Sequence, residues 1–205
     1  MEFDAARVFL MPRRPVVEEN GTLIHISDDG HRLGAVDLSG GWATRLTDST
    51  DFDLTDPNVM MNPQSYAARV APVQTIDDIC RIAIPTVDWY EAHGYGAMLD
   101  RAIGEADGKI ALIGDCNTGT LSFYIAMRGM MNAMMDLIED PELVHACMEK
   151  GIAISLERAK FFLNHGIRVL RYNDSSANMK LISADMWREY IAPHLKYFCS
   201  EVHRM

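Results

Sequence analysis

The length, composition and charge of this chain exclude several classes of protein. Of its 205 residues, 48% are hydrophobic and 23% are charged, which is typical of a globular domain and excludes a disordered or fibrous chain. The formal net charge of −10 argues against nucleic acid as a partner, because phosphate binding needs clustered Lys and Arg. There is no apolar run of membrane-span length and no signal-peptide pattern, and the four cysteines are widely spaced, so we expect a cytoplasmic protein without membrane partners.

Residues 1–70 are predicted to form an N-terminal hairpin and loop extension of the domain. Asn20-Gly21 and Asp29-Gly30 are typical of tight hairpin turns, and they flank the apolar-rich run 22–27. We therefore predict an antiparallel meander over residues 16–36, followed by a long acidic loop that contains proline. A loop of that length inside a compact domain usually covers something or carries function.

Residues 71–205 alternate between helical and strand-like patterns. A capping-box pattern at Thr75 begins a short helix, and a second helix is predicted over residues 87–105. The apolar run 109–114 is typical of a buried parallel strand, and it precedes a helix over 121–138 that is interrupted near Gly129.

The same alternation continues to the C-terminal end. Asp140-Pro141-Glu142 predicts a helix that runs to about Asn164 and ends at Gly166. Residues 167–172 form the next predicted strand, and Ser183 caps a last helix that Pro193 should kink. Strands separated by helices at this spacing predict a parallel sheet with crossover helices, and therefore an α/β fold.

Polar segments follow both predicted strands, where ligands of parallel α/β proteins bind. After the first strand, Asp115, Cys116 and Asn117 combine a carboxylate, a thiol and an amide into a candidate ligand rim. The alternative for this segment is turn chemistry, with Asn117 or the following threonine capping the next helix. Arg128, at the helix interruption, is a candidate contact for an anionic substrate, and a solvated surface role is its alternative.

After the second strand, seven of the eight residues 171–178 have side chains that form hydrogen bonds. Asp174 is the candidate acid or base, or the residue that orients a cationic group. Tyr172, Ser175 and Asn178 are candidate hydrogen-bonding contacts for substrate. The alternative is an Asx-type turn that joins the strand to the helix.

Two runs of residues resemble the uroporphyrinogen decarboxylase superfamily. Residues 121–141 resemble its pattern of a helix break at Arg-Gly, an apolar helix and then Asp-Pro-Glu. Residues 172–193 are similar to its strand end with Asp and Ser, followed by Leu-Ile-Ser and Trp-Arg-Glu-Tyr-Ile-x-Pro. The resemblance covers about residues 110–202 and implies a (β/α)8 TIM-barrel fold. Because such barrels need about 250 residues, residues 71–205 are expected to be the first part of an incomplete barrel.

The resemblance also implies a function. One branch of the superfamily decarboxylates the acetate arms of uroporphyrinogen without a cofactor. Another uses zinc to activate a thiol that accepts methyl from a corrinoid. Arg13 and Arg14 do not reproduce the Arg-rich signature of the decarboxylases, so we expect zinc-dependent methyl transfer from a methylated corrinoid to a thiol or similar acceptor.

Two alternatives to methyl transfer stay open. One is uroporphyrinogen decarboxylation, with Asp115 or Asp174 stabilising a protonated pyrrole. The other is a non-catalytic fragment that another chain completes. In the methyltransferase the zinc ligands are expected outside this sequence, and the partners are expected to be a small molecule or a corrinoid protein, with a homo-oligomer possible.

Overall fold

A computed structural model describes residues 4–10, 16–26, 32–35, 53–61, 71–116 and 119–205. The strands are Ala5–Val8 (β1), Val16–Glu19 (β2), Thr22–Ile26 (β3), Arg32–Ala35 (β4), Ala111–Asp115 (β5) and Val169–Arg171 (β6). The helices are Pro57–Met61 (α1), Ile76–Arg81 (α2), Val87–Ala92 (α3), Tyr95–Ala106 (α4), Leu121–Arg128 (α5), Met130–Glu139 (α6), Pro141–Asn164 (α7), Ala184–Met186 (α8) and Ala192–Val202 (α9). Trp187–Ile191 is a π-helical turn between the last two helices.

The central sheet is parallel and has the strand order β1-β5-β6. Helices α5, α6 and α7 connect β5 to β6, so the predicted α/β class and parallel sheet are confirmed. Strand β1 comes from the segment that the sequence predicts to be an extension, yet Val8 lies in register with Gly114 of β5. Four residues carry too little periodicity to predict a strand, and β1 is recognisable only from its pairing with β5.

One face of the sheet packs against α7. A Cβ atom on Gly114 would lie 2.7 Å from Cγ of Phe162, so only glycine allows the helix to approach this closely. Successive side chains of a strand point to opposite faces. The side chain of Asp115, and that of Arg171 in register with it, therefore project from the face opposite to α7.

The predicted helix ends agree closely with the structure. Thr75 and Asp78 form the reciprocal capping box of α2. Asp140 caps α7, where its carboxylate accepts a hydrogen bond from Leu143 N at 3.1 Å. The predicted interruption lies at Gly129, whose φ of 79° separates α5 from α6.

Two helix predictions needed correction. The single helix predicted over residues 87–105 is divided into α3 and α4, because Gly94 takes a φ of 74° between them. The predicted acidic loop contains the short helix α1, although residues 36–52 and 62–70 of that loop lie outside the described residues.

The antiparallel meander is formed by β2, β3 and β4. Its first turn has positive φ at Asn20 (51°) and Gly21 (77°), as a hairpin turn of type I′ requires. The second predicted turn, Asp29-Gly30, lies outside the described residues.

The predicted kink at Pro193 takes the form of the π-helical turn. The backbone N–H of Ala192 donates to the carbonyl oxygen of Trp187, five residues earlier. This wider turn accommodates a proline in the first turn of α9. Proline has no backbone N–H, and at this position no helical hydrogen bond is lost. Among the described helices, none has the length and apolarity to cross a membrane.

Candidate functional site

Asp115 lies at the carboxyl end of β5 and contacts two arginines. Asp115 is 5% exposed. Oδ2 of Asp115 lies 2.6 Å from Nη1 of Arg171 on the neighbouring strand β6 and 3.6 Å from Nε of Arg7 on β1. The three central strands thus each contribute one charged side chain to this cluster, which we call the strand-end cluster (Arg7, Asp115 and Arg171).

Arg171 is a member of the cluster that can contact a ligand. A third of its side chain (33%) is exposed. Val169, two residues earlier and on the same sheet face, is 52% exposed. In the part of the chain that the structure describes, Asp115 is the one acceptor that Arg171 contacts, which leaves guanidinium N–H groups for an oxyanion.

Asp174, the predicted acid or base, is surrounded by hydrogen-bond donors. Its Oδ2 accepts from Thr120 Oγ1 at 2.5 Å and from Ser122 N at 3.0 Å. Its Oδ1 accepts from the Ser122 hydroxyl and from the backbone N–H groups of Ser176 and Ala177, at 3.1 and 3.2 Å. The carboxylate therefore links its own loop to the N-terminal end of α5.

Tyr172 extends this network towards the loop that follows β5. Its hydroxyl accepts a hydrogen bond from Gly119 N at 2.8 Å and donates to Thr120 Oγ1 at 3.1 Å. Thr120 is fully buried and donates in turn to Asp174. Tyr172 thus holds two strand-end loops together, and its ring lies 5.0 Å from that of Phe198 on α9.

The side chain of Cys116 lies in the core between the sheet and the helices, on the sheet face opposite to the side chains of the strand-end cluster. The residue is fully buried in a cluster with Tyr90, Phe162 and other apolar side chains. Burial raises the pKa of its thiol to about 12, so the thiol stays protonated at neutral pH. Its predicted contact with substrate finds no support in this position.

Arg128 is engaged by a buried carboxylate rather than directed to the strand ends. Its Nε lies 2.7 Å from Oδ2 of Asp136, which also accepts from the Tyr124 hydroxyl at 2.6 Å. Burial opposes ionisation of Asp136, but the hydrogen bonds from Arg128 and Tyr124 outweigh it and keep the pKa of Asp136 below its ordinary value. This group joins α5 to α6 across Gly129.

The remaining predicted residues have local roles or lie outside the described residues. Asn178 forms a turn: its Nδ2 donates to Ser175 O at 2.6 Å, and its Oδ1 accepts from Lys180 N at 2.9 Å. Ser175 is exposed in the same loop. Asn117 is outside the described residues.

Sequence reasoning missed Arg7, Thr120 and Ser122. Arg7 belongs to the strand that local patterns do not predict, so no signal identifies it. Thr120 and Ser122 stand at the start of a predicted helix, where a hydroxyl residue is ordinarily interpreted as a cap. Their actual partner, Asp174, is more than 50 residues away in the sequence.

The described residues do not fit a zinc ion. A catalytic zinc site needs three protein ligands that converge on one position. Across the described ranges, no group of three His, Cys, Asp or Glu side chains is arranged to hold a metal. Cys116 and Cys147 lie in two different apolar clusters of the core, so they do not converge on one position.

Comparison with known proteins identifies a family. Residues 58–205 match the family described as "Uroporphyrinogen decarboxylase (URO-D)". Among solved structures, a "methyltransferase from Methanosarcina mazei" is similar, with 12% sequence identity and a TM-score of 0.49. The match covers 97% of this chain and 49% of that chain, so this chain spans about half the length of that protein. No curated protein matches the sequence.

Proposed function

We propose, on the premise that this chain belongs to the uroporphyrinogen decarboxylase (URO-D) family, that its parallel sheet is part of a (β/α)8 barrel. In this proposal β1, β5 and β6 are three neighbouring strands of the barrel, and α7 lies on its outside. The sheet face with Asp115 and Arg171 is then the barrel interior. Active sites of (β/α)8 barrels lie at the carboxyl ends of the strands, and the strand-end cluster has that position in this proposal.

The proposed reaction is methyl transfer from a methylated corrinoid to a small thiol that carries an anionic group. The new S–CH3 bond would replace the Co–CH3 bond, leaving the corrinoid in its Co(I) form and releasing the thiol proton. The observation that supports it is the guanidinium of Arg171, which is one-third exposed and held by the buried carboxylate of Asp115 at 2.6 Å. A fixed guanidinium binds a carboxylate or sulfonate better than a mobile one, because less side-chain freedom is lost on binding. The acceptor's anionic end would bind here, with its thiol directed to the barrel centre.

Four side chains at the strand ends have a defined part in this proposal. Arg171 binds the anionic end of the acceptor, and Asp115 orients Arg171. Tyr172 and Asp174 hold the two strand-end loops in place. Zinc would supply activation of the acceptor thiol, but the described residues do not provide its ligands, and no step is assigned to it.

Uroporphyrinogen decarboxylation is the second candidate, because Arg171 would fit an acetate arm equally well. It also needs a carboxylate that faces a pyrrole N–H. Asp115 is already bound to arginines, and Asp174 is bound to hydroxyl and backbone donors. Asp174 could face a pyrrole only by breaking these contacts, and Asp115 is committed to two ion pairs, so the geometry favours the methyl acceptor.

Calorimetric titration of the full chain with mercaptoacetate tests the proposal. Arg171→Gln should weaken mercaptoacetate binding by about tenfold or more, as expected for a lost charge-assisted hydrogen bond. Arg168→Gln is the matched control, because Arg168 is exposed on the same strand segment and should have no effect. Binding of uncharged 2-mercaptoethanol should not depend on either arginine.

Product analysis separates the two reactions. Incubation with methylcobalamin and mercaptoacetate should give the methyl thioether, detected by mass spectrometry, whereas uroporphyrinogen should be unchanged. Decarboxylated porphyrinogen would establish the second candidate instead. Equal binding of mercaptoacetate by the wild type and Arg171→Gln would show that the strand-end cluster is not the acceptor site.

A further inference from the structure

Arg158 is a buried arginine on α7 whose contacts are all with neutral groups. The residue is 3% exposed. Its Nη2 donates to the backbone carbonyl of Met61, at the end of α1, at 3.0 Å. Its other contacts are the Tyr90 hydroxyl at 3.4 Å from Nε and the Met61 sulfur at 3.6 Å from Nη2. Throughout the described ranges, no acceptor lies within hydrogen-bonding distance of Nη1.

No carboxylate among the residues that the structure describes lies within ion-pairing distance of this guanidinium. The neighbouring Glu157 is directed elsewhere, to Lys160 and to the backbone N–H of Val87. Cys116, whose thiol senses the charge of Arg158, stays neutral because burial raises its pKa to about 12. An arginine does not lose its proton in a protein, so its positive charge persists in the core.

Burying an unpaired positive charge costs free energy, and buried cations in proteins are ordinarily paired with an anionic group. Neutral acceptors such as a carbonyl, a phenol and a thioether satisfy hydrogen bonds, but they do not neutralise the charge. Methionine is the most flexible apolar side chain, and its sulfur is a weak acceptor that an oxyanion readily replaces.

We propose that Arg158 binds a small oxyanion, a phosphate or carboxylate group, at a site between α1, α3 and α7. The anion contacts Nη1 and takes the place of the Met61 sulfur at Nη2. This site lies on the helix side of the sheet, whereas the strand-end cluster lies on the opposite face, so it is independent of the proposed acceptor site.

Thermal unfolding of the full chain at constant ionic strength tests this proposal. Sodium phosphate and sodium acetate are each exchanged against sodium chloride, and Tm is measured for the wild type, Arg158→Met and Arg168→Met. At an anion concentration several-fold above its dissociation constant, the anion that binds should raise the Tm of the wild type by about 2–4 °C. Arg168→Met should respond like the wild type and Arg158→Met should not. The stronger of the two salts identifies the ligand class.

Three results would overturn the proposal. One is a wild-type Tm that neither salt raises above its value in chloride. Another is the same rise in Arg158→Met, which would indicate general salt stabilisation. If Arg158→Met does not fold, equilibrium dialysis of the wild type with radiolabelled phosphate or acetate decides, and the absence of stoichiometric binding at millimolar anion would reject the site.

Discussion

The carboxylate of Asp174, at the end of β6, accepts hydrogen bonds from both the backbone N–H and the hydroxyl of Ser122, in the first turn of α5. Donors from Thr120, Ser176 and Ala177 also contact this carboxylate, so its roughly four lone-pair positions are all engaged. A negative charge at a helix N-terminus is also favourable. Asp174 therefore connects two strand-end loops, and a proton-transfer role would require these contacts to break.

Asp174→Asn is expected to lower the free energy of unfolding by about 1–3 kcal/mol, because an amide N–H₂ then faces donors that need an acceptor. Urea denaturation followed by circular dichroism measures the change. Asp185→Asn is the matched control, since the Asp185 side chain is 94% exposed, and it should change stability by less than about 0.5 kcal/mol. An Asp174→Asn protein of wild-type stability that no longer turns over substrate would instead support the acid–base role.

Gly151→Ala is expected to destabilise the protein by about 1–3 kcal/mol through overpacking. A Cβ on Gly151 of α7 would lie 2.4 Å from the carbonyl oxygen of Gly119, in the loop after β5, and 2.7 Å from Phe123. Because the obstacle is backbone, the helix and the loop must separate. Gly104→Ala in α4 is the control: nothing lies within 4 Å of its Cβ, so helix propensity should make it about 0.5–1 kcal/mol more stable. Equal effects on thermal unfolding would contradict the close approach.

His165 should make stability fall as the pH rises above neutrality. Its burial opposes protonation, but hydrogen bonds to Asp100 (3.0 Å) and Glu91 (2.9 Å) outweigh that effect and raise its pKa. The folded state therefore holds the proton more tightly than the unfolded state. The resulting stability is fully present below the ordinary histidine pKa of about 6.5 and is lost as the pH rises through the raised value.

Urea midpoints of the wild type and His165→Gln, measured between about pH 6 and pH 9, test this sign. The difference in stability between the two proteins should be largest at the acidic end of the range and should shrink as the pH rises. A difference that is independent of pH would show that His165 contributes packing alone.

The pair of His145 and His194 should have the opposite effect at lower pH. Nδ1 of His145 lies 3.1 Å from Nε2 of His194, where α7 meets α9. Burial lowers the pKa of His194, the charge of His145 lowers it further, and Glu149 opposes both. Stability is therefore present above about pH 6.5 and is lost as the pH falls through the lowered pKa.

His194→Gln should accordingly lose less stability than the wild type between about pH 7 and pH 5, as measured by urea denaturation. The exposed His203→Gln is the control and should follow the wild-type curve. Parallel losses in the wild type and His194→Gln would place the acid-sensitive group elsewhere.

Much of the fold was predictable where the signal is local. The ends of α7 follow from Asp140-Pro141 and Gly166, because capping and proline geometry act within a few residues. The interruption at Gly129 has the same kind of origin. Strand β1 was not predictable, because only its pairing with β5 distinguishes it from a loop.

The candidate site, like the fold, was predictable from the sequence only in part. Asp115 and Asp174 were predicted because polar residues after buried strands mark the ligand-binding end of a parallel sheet, and their part in a site stays a prediction. Their partners were not identified. Cys116 is the clearest example of what the sequence did not show. Side chains alternate between the two faces of the sheet, so the thiol of Cys116 enters the core while the carboxylate of Asp115 projects from the other face.

The sequence by itself determined the α/β class, the helix ends, and the family to which the motifs of residues 121–141 and 172–193 belong. Only the tertiary structure decided that Asp115 binds Arg171, 56 residues away, and that Asp174 is occupied by donors from α5. Caps, turns and periodicity are set by neighbouring residues. The charge state and availability of a side chain are set instead by whichever distant groups the fold brings within hydrogen-bonding distance.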